Sequence, residues 1–222
     1  DGIRDVAVTG VQTCALPICA AAQNFADIVA MGGHPTALLV AVAAPRTTPD
    51  LWYTDLARGL QAECDVVGAS VVGGDLSIAD DIVVSVTVLG DTGDGGPVLR
   101  SGAHVGDVVA MSGRLGWSAA GLAALQSNSD VDADLLAAYR VPQPPYAAGP
   151  AGLAARATSM IDVSDGLLAD ARHIADASGV TIDLNSSALA PDDVVAAAAR
   201  QLTMDAMDLV LAGGEEIGRA HV

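Results

Sequence analysis

The sequence predicts an α/β (α+β) protein of two domains, and three observations carry that expectation. Apolar strands and amphipathic helices alternate along the chain. A Gly/Asp-rich stretch, Gly90 to Pro97, interrupts the rhythm, which restarts beyond it. The 222 residues are 51% hydrophobic but only 3% aromatic, so the core is aliphatic.

Taken in order, Ala20 to Met31 has the spacing of a helix stopped by Gly32 and Gly33, and Thr36 to Ala43 is an unbroken apolar strand. Thr48-Pro49-Asp50 opens a second helix, with Leu51, Leu56, Leu60 and Ala62 inward, ending near Glu63. Strand Val66 to Val72 follows, broken at Gly73-Gly74, and Asp81 to Leu89 alternates as another strand. After the Gly90 to Pro97 boundary come strand Asp107 to Ser112 and helix Ser118 to Gln126. Helix Asp132 to Arg140 is stopped by Pro142, Pro144 and Pro145. A helix at Ala151 to Ala157, a strand leading to Asp162, helix Leu167 to Ala177 with its Gly179 stop, strand Val180 to Leu184 and a helix from Pro191 complete the pattern. Met160, Met204 and Met207 have core-like spacing.

Both ends carry a different signal. Glu216 to Val222 back-translates to a G followed by AGATCGGAAGAGCACACGTC, the start of a widely used short-read adapter. Val8 to Ile18 back-translates to the partner adapter, with Asp1 to Asp5 from its primer and Val6 and Ala7 as the index. Residues 1–19 and 216–222 are therefore expected to be adapter translation, with Cys19 and Glu216 sharing codons across the junctions.

Charge narrows the function. With 27 acidic and 10 basic residues, a formal charge of −17, the surface repels nucleic-acid phosphate and anionic membrane. Setting the flanks aside leaves 24 acidic against 8 basic residues and only Cys64 of three cysteines, which excludes a disulfide framework or a Cys-based zinc site and suits a reducing cytoplasm. No apolar run approaches the length of a membrane span.

Against this background, acids interrupt apolar segments in three places: Asn24 to Asp27, Gly73-Gly74-Asp75, and Ile161-Asp162-Val163-Ser164-Asp165-Gly166-Leu167. Two carboxylates repel by roughly 4 kcal/mol at about 4 Å for an effective dielectric near 20, so converging acids call for a cation. Each cluster alone has a plain structural explanation. Asp165 can cap the helix after it, Asn24 and Asp27 share a helix face as i and i+3, and Gly-Gly-Asp is a common turn. Asp162, a second acid at a strand end, is what a simple cap leaves unexplained. Magnesium carrying a nucleotide is the leading candidate.

These motifs, with Leu99-Arg100-Ser101-Gly102-Ala103, Gly106-Asp107, Gly113 to Leu122 and Gly213-Gly214-Glu215, stand in the order seen in thiamine-monophosphate kinase, which the chain resembles. That family is similar to aminoimidazole ribonucleotide synthetase, selenophosphate synthetase and a hydrogenase maturation factor. The resemblance implies a synthetase-like fold: an N-terminal mixed sheet with helices that dimerises, here 20–96 and binding ATP and Mg²⁺, and a C-terminal α/β domain, here 97–215. It implies Mg²⁺ ligation by Asp27, Asp75, Asp162 and Asp165, ATP contacts from Gly74, Asp75, Arg100 and Ser164, and a thiamine monophosphate contact from Glu215. The implied reaction is in-line transfer of the ATP γ-phosphoryl group to thiamine monophosphate, in a cytoplasmic homodimer, without a covalent enzyme intermediate. Tyr146 stands where that family has an arginine, and His34 replaces a small residue. The family's first acidic loops and the end of its second domain have no counterpart, so both domains are expected to be incomplete and the activity to belong to the intact parent. Two alternatives stand beside this one: another ATP-dependent member such as selenophosphate synthetase or aminoimidazole ribonucleotide synthetase, and a non-catalytic fragment.

Overall fold

A computed structural model describes residues 15–214 and the backbone of 218–221. The elements run α1 (Ala15–Ala30), β1 (His34–Ala44), α2 (Asp50–Val67), β2 (Ser70–Ile78), β3 (Val83–Asp91), β4 (Ala110–Ser112), α3 (Trp117–Ser127), α4 (Ala133–Arg140), α5 (Ala148–Ala154), β5 (Met160–Val163), α6 (Leu167–Ser178), α7 (Asp193–Leu202), α8 (Ala206–Ala212) and β6 (Gly218–His221). They build two three-stranded sheets. In the first, β1 is central, parallel to β2 and antiparallel to β3, which is the mixed sheet expected. In the second, β6 lies between β4 and β5, antiparallel to both. β6 thus falls in the segment expected from its sequence to be adapter translation.

The first core packs α1 and α2 against one face of the first sheet, with Phe25, Leu38, Leu60 and Cys64 almost fully buried. A second cluster joins α3, α4, α7 and α8 around Ala120, Leu135, Val195 and Leu209. A third lies beneath β5 and α6, centred on Val163, Leu167 and Ile174. Helix α1 links the halves, since it packs on α2 and β3 and also reaches β5.

Several expected boundaries move. Helix α2 runs past Glu63 to Val67, where Gly68 takes a left-handed conformation (φ 76°) and its N–H bonds the Cys64 carbonyl. The strand expected at Val66 to Val72 therefore starts at Ser70 and continues through Gly73-Gly74-Asp75 to Ile78, with no break. Glycine is what lets it pass: a Cβ on Gly74 would lie 1.8 Å from the Val40 carbonyl oxygen, and the ladder shifts register just before it, between Leu38 and Leu39, opposite Val71 to Gly73. Strand Asp107 to Ser112 shortens to β4, because Asp107 closes a turn by accepting from the His104 backbone N–H (2.7 Å). Val180 to Leu184 forms no strand. Val180, Ile182 and Leu184 pack on the third core, so apolar alternation there records burial without a ladder partner among the described residues. Met204 is 45% exposed and is not core, whereas Met160 is buried.

Candidate functional site

The acidic site assembles where α1 meets the end of β5. Asn24, on the same helix face, donates from its amide to the Ala20 carbonyl (2.8 Å) and is a local helix contact. Asp27, one turn on, comes close enough to Asp162 for their charges to interact. Desolvation by the apolar helix and then the Asp162 charge push the Asp27 pKa up to about 6, even though part of its carboxyl reaches solvent. Two carboxylates from separate halves of the chain therefore lie within electrostatic reach of each other.

The loop after β5 is held from below. α6 starts without a side-chain cap: Gly166 occupies the cap position with φ 107°, so the simple capping role open to Asp165 is not used. Instead Asp170, buried in the first turn, accepts hydrogen bonds from the backbone N–H groups of Ser164 (2.9 Å) and Asp165 (3.0 Å). Burial raises the Asp170 pKa and those two N–H groups oppose the rise. Ser164 Oγ in turn donates to Asp162 Oδ2. Asp170 was missed in the sequence, where it reads as an ordinary acid in the first turn of a helix; the signal was its place in an otherwise apolar inner stripe with Leu167, Ala171 and Ile174. Gly214 lies against this loop, since a Cβ there would sit 2.4 Å from the Ser164 carbonyl oxygen, and a Cβ on Gly166 would sit 2.9 Å from the Ala212 carbonyl.

The other candidates spread outward. Asp75 sits on β2 opposite Ala41, on a strand exposed along its length. Arg100 is exposed; its carbonyl accepts from Ser159 Oγ (2.8 Å) and Ser178 Oγ (3.0 Å), leaving the guanidinium outside any ion pair among the described residues. Glu215 lies outside the described residues. Among the described residues no three His, Cys, Asp or Glu side chains converge as a metal cage. The structure thus joins Asp27 with Asp162, and Ser164 with Asp165 through Asp170, but does not draw Asp75 into one cluster with them. The pair fits a divalent cation, because such an ion, held by hard oxygen ligands, would offset the burial and the Asp162 charge that raise the Asp27 pKa. Tyr146 has a structural role: its hydroxyl donates to the buried Glu63 carboxylate and its ring packs edge-on against Phe25 (6.3 Å between centroids). His34 begins β1 in an exposed position.

Residues 3–92 match the family described as AIR synthase related protein, N-terminal domain. That match begins within residues 1–19, the stretch expected from its sequence to be adapter translation. Among curated proteins, thiamine-monophosphate kinase of Mycobacterium tuberculosis is 51% identical over 198 residues, 89% of this chain and 60% of its own length. The Corynebacterium glutamicum enzyme is 40% identical over 200 residues, 87% and 60% of the two chains. A crystal structure of thiamine monophosphate kinase from Aquifex aeolicus superposes with a TM-score of 0.90 at 27% identity, covering 100% of this chain and 75% of its own. AaThiL complexed with AMPPCP and TMP gives 0.88 at 28%, covering 96% and 69%. A hydrogenase maturation protein HypE shares the fold, with a TM-score of 0.76 at 16% identity over 93% and 64% of the two chains.

The mixed sheet lies within the stretch that matches the AIR synthase related N-terminal domain. Over most of its length the chain is similar to the thiamine-monophosphate kinases in sequence and in fold. It spans about three fifths of the length of the curated relatives it matches.

Proposed function

We propose that the whole protein transfers the γ-phosphoryl group of ATP to the phosphate of thiamine monophosphate, forming thiamine diphosphate by direct in-line displacement. The observation that supports this most is the Asp27–Asp162 pairing, built by α1 and β5 in a chain 51% identical to a thiamine-monophosphate kinase. Asp27, Asp162 and Asp165 would hold Mg²⁺, and Asp75, which stands apart from them on β2, would take a separate Mg²⁺ carried by the nucleotide. Mg²⁺ when bound neutralises phosphate charge and orients the transferring group. Ser164, its backbone fixed by Asp170 and its hydroxyl on Asp162, presents a polar edge to the triphosphate. Gly74 and Asp75 would meet the nucleotide from β2, and Arg100, a fork-shaped donor free of carboxylates among the described residues, would take a phosphate. Glu215 would contact thiamine monophosphate. We place the protein in the cytoplasm as a homodimer. The −17 formal charge disfavours nucleic acid as a partner, and no described helix is long and apolar enough to cross a membrane.

The experiment is a coupled assay on the full-length gene product with ATP and thiamine monophosphate. Thiamine diphosphate should form only with Mg²⁺ and only with Asp162 intact; selenophosphate or aminoimidazole ribonucleotide as product would overturn the assignment.

A further inference from the structure

A cleft of about 310 Å³ opens between the start of α3, helix α4 and the proline turn at 141–145, away from the paired aspartates. Its lining includes Arg114, Trp117, Ser118, Asp134 and Pro142. We propose that this cleft binds a small molecule through a phosphate-type oxyanion, gripped by the Arg114 guanidinium, the Ser118 hydroxyl and the first amides of α3.

Three observations converge on an anion. Helix α3 is 11 residues long and opens on Gly116 (φ 82°) with no side-chain cap, so the N–H groups of Trp117 and Ser118 have no intrahelical acceptor and carry the positive end of the helix dipole. Ser118 is only 3% exposed, yet its Oγ is the one buried side-chain polar atom without a hydrogen-bond partner among the described residues. A hydroxyl in that position is ordinarily satisfied, and an oxygen atom in the cleft would satisfy it. Arg114 lies over the Trp117 ring, 3.9 Å from its centroid, which fixes the guanidinium at the mouth while leaving its N–H groups outside any ion pair among the described residues.

The nearby acids are consistent with this. Asp192 is occupied, one oxygen accepting from the Val195 backbone N–H (2.8 Å) and the other from Trp117 Nε1 (2.6 Å), so it does not quench Arg114. Asp134 lines the α4 wall as an exposed carboxylate and forms no ion pair with Arg114. It disfavours a ligand that is anionic throughout and selects one whose charge is confined to the Arg114 end. The Trp117 indole and Pro142 supply apolar walls for an organic body, so a phosphorylated organic molecule fits better than free phosphate.

The test uses the whole chain in EDTA, with Trp52→Phe leaving Trp117 as the sole tryptophan, so it reads this cleft and is independent of nucleotide and Mg²⁺ binding. Trp117 fluorescence is titrated with inorganic phosphate and with phenyl phosphate, against chloride at matched ionic strength. A saturable change is expected, tighter for phenyl phosphate, and weakened about tenfold by Arg114→Gln because charge-assisted bonds are the strong ones. Ser118→Ala should weaken it about threefold, a neutral hydrogen bond being the smaller contribution, with the far-ultraviolet circular dichroism unchanged. Equal affinity for both phosphates would assign the site to free phosphate within the same chemistry. A flat titration, a response that chloride reproduces, or an affinity indifferent to Arg114→Gln in a folded variant would overturn the proposal.

Discussion

At the scale of single residues, the site rests on carboxylates whose surroundings oppose their charge. Asp27 has its pKa raised to about 6 against an ordinary 3.8, first by desolvation and then by Asp162. The sign follows directly: the folded protein binds the proton more tightly than the unfolded chain, so this group stabilises the fold at low pH and that contribution is lost as pH rises from about 4 to about 6. Carboxyl-resolved NMR in the absence of divalent ions should find an Asp27 midpoint near 6 that falls in Asp162→Asn; an unmoved midpoint would mean the two do not interact. Asp170 is a positioning residue of another kind. Asp170→Ala strands two loop amides, Ser164 and Asp165, at a cost of about 2–4 kcal/mol on denaturant unfolding. Asp170→Asn, which keeps one acceptor oxygen, should recover part of that loss, and equal losses would deny the hydrogen bonds their role.

At the scale of elements, glycine decides where the chain can go. Gly74 lets β2 pass the Val40 carbonyl at a distance no Cβ tolerates, so Gly74→Ala should disrupt the β1–β2 pairing and lower the melting temperature, while Gly68→Ala at the open end of α2 meets nothing within 4 Å and bears only the strain of its φ of 76°. A variant pair with equal melting temperatures would contradict this difference. The same glycines explain what could be read in advance. Apolar runs and stop signals located most helices: α4 with its Asp132 cap, α6 with its Gly179 stop and α7 after Pro191 stand close to where periodicity puts them. Gly73-Gly74, which looks like a turn in one dimension, lies inside a strand because the space it needs comes from a neighbouring strand. Val180 to Leu184 alternates like a strand, yet alternation records which side is buried and not whether a ladder partner exists. At the site, residue types and order pointed to Asp27 and Asp162. The sequence had no means of showing that Asp170 turns inward to hold the loop, since that depends on the direction in which α6 leaves β5.

At the scale of the molecule, α1 joins the two halves and the first sheet turns one face outward. β2 is exposed along its length, and Leu76 (64%) and Ile78 (60%), in register with Val42 and Ala44, leave an apolar strip open at this edge of the sheet. Homodimerisation, part of the proposed function, would cover it. Sedimentation of the parent should give a dimer, and Leu76→Asp with Ile78→Asp should shift it to a monomer; a wild-type monomer would remove this face from the account. The site draws on the same architecture, because Asp27 belongs to the helix that packs on the first sheet and Asp162 to a strand of the second. A ligand bridging them should stabilise the whole molecule, by roughly 2.7 kcal/mol at 100 times its dissociation constant. The most direct measurement is calorimetric binding of a non-hydrolysable ATP analogue to the full-length protein with and without Mg²⁺, alongside Asp27→Asn and Asp162→Asn. Binding should depend on Mg²⁺ and be sharply weakened by either substitution, and nucleotide binding of equal strength without Mg²⁺ or in both variants would contradict a metal-bridged site.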